Sequence, residues 1–125
     1  LSVFERSSYP NYEAILVDNG STEPETKAVL AKWSRRQPDR FIVVDHPGPF
    51  NYSRLINAGA ARSNGTYLLL LNSDTEVITP DWIEAMLEQA QRPSIGAVGA
   101  QLLYHDNTIQ HAGIVVGVRG TAGNA

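Results

Sequence analysis

Three short apolar runs, almost free of polar residues, set the strongest limit on the fold of this 125-residue chain. They occupy residues 14–17 (Ala-Ile-Leu-Val), 41–44 (Phe-Ile-Val-Val) and 67–71 (Tyr-Leu-Leu-Leu-Leu). A strand with one solvated face alternates apolar and polar side chains, whereas an unbroken apolar run is typical of a parallel strand buried on both faces. We therefore expect three parallel strands.

Helical patterns lie between these runs and after the last of them. Residues 25–36 and 52–63 carry apolar side chains at helical spacing. A third helix is predicted to begin with Thr79 as its N-cap and Pro80 in its first position, and to end near Gln91. The β-α-β-α-β order predicts right-handed crossovers and an α/β fold, with a mostly parallel sheet flanked by helices.

The two ends of the chain are less regular. Residues 95–104 and 108–116 are predicted as two strands around a turn at Asp106 and Asn107, and residues 117–125 as loop. Residues 1–8 resemble the tail of a helix with no strand before it, so residues 1–125 are interpreted as a single partial domain, truncated at both ends. Because a sheet without its opening strand exposes unpaired backbone groups, pairing with another copy as a homo-oligomer is one expectation.

Composition excludes several classes of function. Ten Lys and Arg against thirteen Asp and Glu, with a net charge of −3 and no dense basic run, predict no nucleic-acid partner. The absence of cysteine excludes disulfides and thiolate metal sites and favours the cytoplasm. The longest apolar run is far shorter than the roughly 20 residues that span a bilayer. Peripheral attachment at the inner face of the cell membrane remains an open alternative.

Polar side chains follow each apolar run. Ligands of open parallel sheets bind at the carboxyl ends of the strands, where this sequence places Asp18, Asp45 and Asp74. Turn formation and helix capping explain any one of these segments alone, but three in register favour a site. Asp74, with Asn72 two positions earlier, offers the oxygen ligands that suit Mg²⁺ or Mn²⁺ held between protein and phosphate.

Several segments, in order along the chain, resemble glycosyltransferase family 2. The resemblance covers most of the chain, from about Tyr9 to Gly117, and is carried by these segments: Tyr9-Pro10-Asn11-Tyr12-Glu13, Leu16-Val17-Asp18-Asn19-Gly20-Ser21-Thr22, Phe50-Asn51-Tyr52-Ser53, Asn57-Ala58-Gly59-Ala60, Asn64-Gly65-Thr66-Tyr67, Leu71-Asn72-Ser73-Asp74-Thr75-Glu76, Thr79-Pro80-Asp81-Trp82 and Gly96-Ala97-Val98-Gly99. Within the family, Ile109-Gln110-His111-Ala112-Gly113 is most similar to rhamnosyltransferase-like members of bacterial polysaccharide assembly.

The resemblance implies a GT-A fold, a nucleotide-diphosphate sugar donor, a glycan or lipid-linked acceptor and inversion at the anomeric carbon. It implies that Asp18 contacts the base of the nucleotide, that Asn51 and Asn57 line the nucleotide cleft, and that Asp74 binds a divalent cation, Mn²⁺ or Mg²⁺. This chain has Asn72 where the family's Asp-x-Asp motif has its first carboxylate, so Asn72 is assigned to the nucleotide, towards the ribose. The family's catalytic base comes after this half, and no residue here is assigned to that role.

Other residues have competing interpretations. His111 is either a metal or phosphate ligand or a hydrogen-bonded structural histidine. Arg54 either approaches the diphosphate or is solvated or ion-paired, and Trp33 and Trp82 are predicted as core anchors. No Gly-x-Gly-x-x-Gly or Walker-type loop follows a strand, which disfavours a dehydrogenase. The alternative to a transferase is a non-catalytic nucleotide-binding fragment that needs the rest of its polypeptide for turnover.

Overall fold

The helices and strands of the chain fall into two compact units, residues 11–75 and residues 1–10 with 76–125. The computed structural model describes residues 1–116 and 122–124. In chain order the elements are α1 (Ser2–Arg6), β1 (Ala14–Asp18), α2 (Pro24–Arg36), β2 (Phe41–Asp45), α3 (Tyr52–Ala60), α4 (Trp82–Ala90), β3 (Leu102–Leu103), β4 (Ile109–His111), β5 (Ile114–Val116) and β6 (Ala122–Asn124).

The unit of residues 11–75 is a βαβα arrangement around two parallel strands. β1 and β2 pair from Ala14 opposite Phe41 to Asp18 opposite Asp45, and the prediction of two parallel strands and two helices here is confirmed. α2 packs on β2 and α3 packs on β1. α3 approaches β1 closely at Gly59, where a Cβ would lie only 3.0 Å from Val17 Cγ2 and glycine has none.

Two aromatic side chains form the core of this unit. Trp33 of α2 and Phe41 of β2 are each 4% exposed, and the guanidinium of Arg36 lies 5.2 Å from the centre of the Trp33 ring. The prediction that Trp33 is a core anchor is therefore confirmed. The remaining residues of the two strands are half-buried or exposed, so the prediction of burial on both faces is wrong outside Phe41.

The third apolar run, residues 67–71, does not form a strand, and the sequence prediction is wrong there. All five side chains are exposed, from 41% for Leu69 to 60% for Leu70. A strand exists only when a neighbour takes its backbone hydrogen bonds. In the described part of the chain the strand pairs are β1–β2, β3–β4 and β5–β6, and none of them includes this run.

The other unit contains α1, α4 and the short antiparallel strands β3 to β6. Among the described residues of this unit, Val77 and Ile83 are buried, each 8% exposed. The Trp82 indole N–H donates to Ser7 Oγ at 2.8 Å, and Trp82 is half-buried, so the prediction that it is a core anchor is wrong.

Helix α4 begins later than predicted. Its N-cap is Asp81, not Thr79. The Pro80 carbonyl accepts hydrogen bonds from the backbone N–H and the hydroxyl of Ser8, both at 2.9 Å. Because this carbonyl is already engaged, Pro80 does not start the helical ladder, and residues 79–81 form a turn.

The predicted hairpin after α4 is present in shorter form. β3 and β4 pair antiparallel around Asp106 and Asn107, and Asn107 adopts a positive φ of 65°. Residues 95–101 are not a strand, and residues 108–116 divide into β4 and β5 near Gly113, whose φ is 147°. The loop prediction is wrong at Ala122–Asn124, which pairs with β5 as β6. Its remaining residues, 117–121 and 125, lie outside the described residues.

Candidate functional site

The carboxyl ends of β1 and β2 lie side by side. Asp18 and Asp45 occupy matching positions at the ends of the two strands, and the His46 N–H donates to the Asp18 carbonyl at 2.8 Å. The sequence expectation that the polar segments after these two strands meet at one edge of the sheet is therefore met by this pair. This edge is the position at which parallel α/β sheets bind ligands.

The Asp18 side chain is held by its own loop. Its Oδ1 accepts hydrogen bonds from the Ser21 hydroxyl at 2.7 Å, the Ser21 N–H at 2.8 Å and the Gly20 N–H at 3.2 Å. Gly20 supplies the turn with a φ of 95°. The Ser21 hydroxyl and then the Ser21 N–H lower the pKa of Asp18 below its ordinary value. The residue is thus a fixed carboxylate whose described hydrogen bonds all use one oxygen.

Two asparagines lie on or next to helix α3. Asn51 is its N-cap, and its Oδ1 accepts from the Arg54 N–H at 3.0 Å. Asn57 is an exposed residue of the helix. Asn51 thus has a structural role that was not predicted from the sequence. Its side-chain Oδ1 caps the helix, and its Nδ2 takes part in none of the described hydrogen bonds.

Asn72 and Asp74 lie in an exposed turn and not at the end of a strand. The Asn72 carbonyl accepts from the Thr75 hydroxyl at 2.8 Å and from the Thr75 N–H at 3.4 Å, which closes the turn. Both side chains are exposed. The predicted nucleotide and metal residues Asp18, Asn51, Asn57, Asn72 and Asp74 all belong to the unit of residues 11–75. The hydrogen bonds described in this unit join none of these five side chains to another.

Comparison with known proteins assigns the chain to a family. The sequence profile described as Glycosyl transferase family 2 matches residues 1–113. The chain belongs to glycosyltransferase family 2. This family has the GT-A fold, so the fold predicted from the resemblance is confirmed.

Two curated relatives of this family 2 chain are much longer proteins. The O-antigen biosynthesis protein RfbC of Myxococcus xanthus is 44% identical over 123 residues, which is 98% of this chain and 9% of the relative. The uncharacterized protein y4gI of Sinorhizobium fredii is 46% identical over 123 residues, which is 98% of this chain and 13% of the relative. The chain therefore spans about a tenth of the length of these relatives. No solved structure matches it.

Family 2 glycosyltransferases generally use a divalent cation. The carboxylate that this chain offers is compatible with a cation whose other ligands are phosphate oxygens and water. Asp74 presents an exposed carboxylate that takes part in none of the described hydrogen bonds or ion pairs. Within residues 1–116 and 122–124, no group of three His, Asp or Glu residues is placed to hold a metal. Mg²⁺ characteristically combines one or two carboxylates with phosphates and water, which one carboxylate can satisfy.

The other unit of this family 2 chain contains a shallow cavity. Its volume is about 410 Å³, and its lining consists of Ala97, Val98, Gly99, His111, Gly113 and Ile114. His111 is a half-buried residue of β4 and the one ionisable side chain of this lining. Both interpretations of His111, as a ligand and as a structural histidine, stay predictions. Among the described residues, no helix is long and apolar enough to cross a membrane.

Two side chains at the Asp18 edge make hydrogen bonds that were not predicted from the sequence. Asn19 Nδ2 donates to the carbonyls of His46 at 2.8 Å and Gly48 at 3.1 Å, and Arg54 Nη2 donates to the Pro49 carbonyl at 2.7 Å. The Pro47-Gly48-Pro49 sequence is the signal that could have revealed them. Two prolines remove backbone donors, so the carbonyls of such a loop need donors from elsewhere.

Proposed function

We propose that the complete protein is an inverting glycosyltransferase that moves a sugar from a nucleotide-diphosphate donor to a glycan or lipid-linked acceptor in bacterial cell-surface polysaccharide synthesis. The observation that carries the proposal is the Asp18 carboxylate, fixed by three donors at the carboxyl end of a parallel strand pair. Membership of family 2 and the O-antigen role in the name of the Myxococcus xanthus relative support it.

Asp18 is suited to recognise the base of the donor nucleotide. Its described bonds occupy Oδ1, which leaves Oδ2 to accept a hydrogen bond from a base N–H. A hydrogen bond to a fixed charged group is stronger than one between neutral groups. Asn51, Asn57 and Asn72 provide further amides for the ribose and the rest of the nucleotide.

Asp74 is suited to the diphosphate end of the donor. A divalent cation, Mn²⁺ or Mg²⁺, bound there supplies Lewis-acid stabilisation of the negative charge that develops on the leaving nucleoside diphosphate. The Asp74 carboxylate holds the positive charge at this position, and the turn closed by Thr75 fixes its backbone. The proton of the acceptor hydroxyl passes to a base that we do not assign to this chain.

Release of nucleoside diphosphate tests this function. We expect the complete protein to release diphosphate from one class of UDP-, GDP- or dTDP-sugar, to do so faster with an acceptor, and to lose the activity reversibly on chelation of the cation. Binding of a nucleotide without release from any of these donors would contradict a transferase and favour the non-catalytic nucleotide-binding fragment.

Replacement of Asp18 by alanine tests its role in donor binding. A hydrogen bond to a charged group contributes about 1.5–3 kcal/mol, so Asp18→Ala should raise the Kd of the nucleoside diphosphate by about 10- to 100-fold. Isothermal titration of the variant and of the unchanged protein measures this ratio. An unchanged Kd would remove Asp18 from the nucleotide site.

The same carboxylate predicts how nucleotide binding depends on pH. Because the pKa of Asp18 is lowered in the folded protein, the residue stays ionised above its ordinary value of about 3.9 and loses its charge only as pH falls through the lower folded value. The difference in Kd between the unchanged protein and Asp18→Ala should therefore be constant from about pH 5 to about pH 8. A difference that disappears within this range would mean that the contribution of the Asp18 carboxylate is lost there, which would contradict its lowered pKa.

A further inference from the structure

Residues 46–50, which we name the β2–α3 loop, have one described backbone donor, the His46 N–H, which bonds to the Asp18 carbonyl at 2.8 Å. Pro47 and Pro49 have no N–H to donate, and Gly48 has a φ of 134°, which other residues rarely adopt. The loop leads directly to Asn51, the N-cap of α3. Its position relative to the Asp18 loop therefore also depends on donors from other parts of the unit.

Asn19 supplies two of these donors from the β1 side. Its Nδ2 donates to the His46 carbonyl at 2.8 Å and to the Gly48 carbonyl at 3.1 Å. Asn19 is half-buried and directly follows Asp18. The Asn19 amide therefore adds a side-chain connection between the loop after β1 and the loop after β2, beside the backbone bond from His46 to Asp18.

Arg54 supplies the third donor from the α3 side. Its Nη2 donates to the Pro49 carbonyl at 2.7 Å, and its backbone N–H donates to Asn51 Oδ1 at 3.0 Å. A Cβ on Gly48 would lie 3.3 Å from the same Nη2. The guanidinium is thus packed against the loop backbone at a point where glycine leaves space for it.

We propose that Asn19 and Arg54 are positioning residues that hold the β2–α3 loop from its two ends and so fix Asn51 relative to Asp18 for one nucleotide. The inference rests on the proposed nucleotide-sugar function and assigns these two side chains a role within it. Neither needs to touch the donor, since their hydrogen bonds go to backbone carbonyls of the loop. Their effect on binding is transmitted through the loop.

The Asn19→Asp variant tests the first half of the proposal with almost no change in size. It replaces an amide donor by a carboxylate facing two carbonyl oxygens, so both bonds are lost. In the complete protein we expect the Kd of UDP, GDP or dTDP, whichever the protein binds, to rise about tenfold or more. The KM for the donor should rise with it, while kcat at saturating donor stays within about twofold. Asn11→Asp, an exposed position in the same unit, makes the same charge change and should leave Kd unaltered.

Arg54 variants test the second half. Arg54→Met should raise Kd to a similar extent, and Arg54→Lys, which keeps one donor for the Pro49 carbonyl, should restore most of the affinity. Arg35→Met, at an exposed position in the last turn of α2, controls for the loss of positive charge. Because both residues hold the same loop, the Kd of the double variant should be only slightly higher than the Kd of the single variant that binds more weakly.

Specific results would overturn this inference. An unchanged Kd in Asn19→Asp, measured well below the melting temperature, would reduce Asn19 to a purely structural residue. A double variant whose loss equals the product of the two single losses would mean that the residues act independently. If the unchanged protein binds no nucleotide, the proposed function fails, and that result is distinct from equal binding by the unchanged and variant proteins.

Discussion

Replacement of Asp74 by alanine should reduce sugar transfer by about 100-fold or more and leave the fold intact. A metal ion contributes several kcal/mol to the stabilisation of developing charge, and each 1.36 kcal/mol corresponds to tenfold in rate. Asp74 is the carboxylate that we assign to this cation. Its side chain is exposed and takes part in none of the described hydrogen bonds, so its loss should cost little stability.

Two further variants make this result specific. Asp74→Asn keeps the size of the side chain and removes its charge, so it should lose nearly as much activity as alanine. Asp39→Ala, an exposed aspartate in the turn before β2, removes an equal charge from the same unit and should keep full activity. Initial rates at several Mn²⁺ concentrations measure the effect. Cation-dependent transfer within a few-fold of normal in Asp74→Ala would contradict the assignment.

Replacement of Trp33 by alanine should have the largest effect on stability. Trp33 is 4% exposed on α2, in the unit whose other buried residue is Phe41 of β2. Truncation of a buried aromatic residue typically costs about 3–5 kcal/mol because it removes buried surface and leaves a cavity. Since Trp33 and Phe41 are the buried residues described in this unit, few neighbours are available to fill the space.

Denaturant unfolding of the complete protein, followed by a signal from this unit, measures the Trp33 effect. Val29→Ala on the same helix is the matched control, because Val29 is 46% exposed and its truncation should cost well under half of the Trp33 value. A loss below about 1 kcal/mol for Trp33→Ala would show that the α2–β2 packing does not stabilise the unit.

The elements that could be predicted from the sequence are those whose partners lie close along the chain. β1, α2 and β2 follow one another within 32 residues, from Ala14 to Asp45. β1 pairs with β2, and α2 packs on β2. Residues 67–71 have the strongest apolar pattern of the three runs but no described strand neighbour. An apolar run therefore predicts the tendency to form a strand, while the hydrogen-bonding partner decides whether a strand forms.

The start of α4 was mispredicted for a similar reason. Thr79 and Pro80 make a good local helix start, but Ser8, 72 residues earlier, takes the Pro80 carbonyl. The local pattern contains no information about so distant a donor. Boundaries that depend on long-range hydrogen bonds are therefore the least predictable part of this fold.

The candidate site shows the same division. The position of Asp18 at the end of β1 was predicted, and its partners Gly20 and Ser21 lie within three residues, whereas its contact with the nucleotide stays a prediction. Arg54 was predicted either to approach the diphosphate or to be solvated or ion-paired; it is exposed, and it donates to the Pro49 carbonyl, a bond that neither alternative included. The Pro47-Gly48-Pro49 sequence indicates that carbonyls of this loop need donors from elsewhere, but it does not identify Arg54 as the donor.

The central claim is that Asp74 completes a cation site only together with the donor's phosphates. The affinity of the protein for Mn²⁺, measured with and without a nucleoside diphosphate, tests this claim most directly. We expect weak Mn²⁺ binding to the complete protein alone and an affinity at least about tenfold higher in the presence of the nucleotide that it binds. Nucleotide affinity should rise by the same factor when Mn²⁺ is present, as linkage requires. Mn²⁺ affinity that is identical with and without the bound nucleotide would contradict the account.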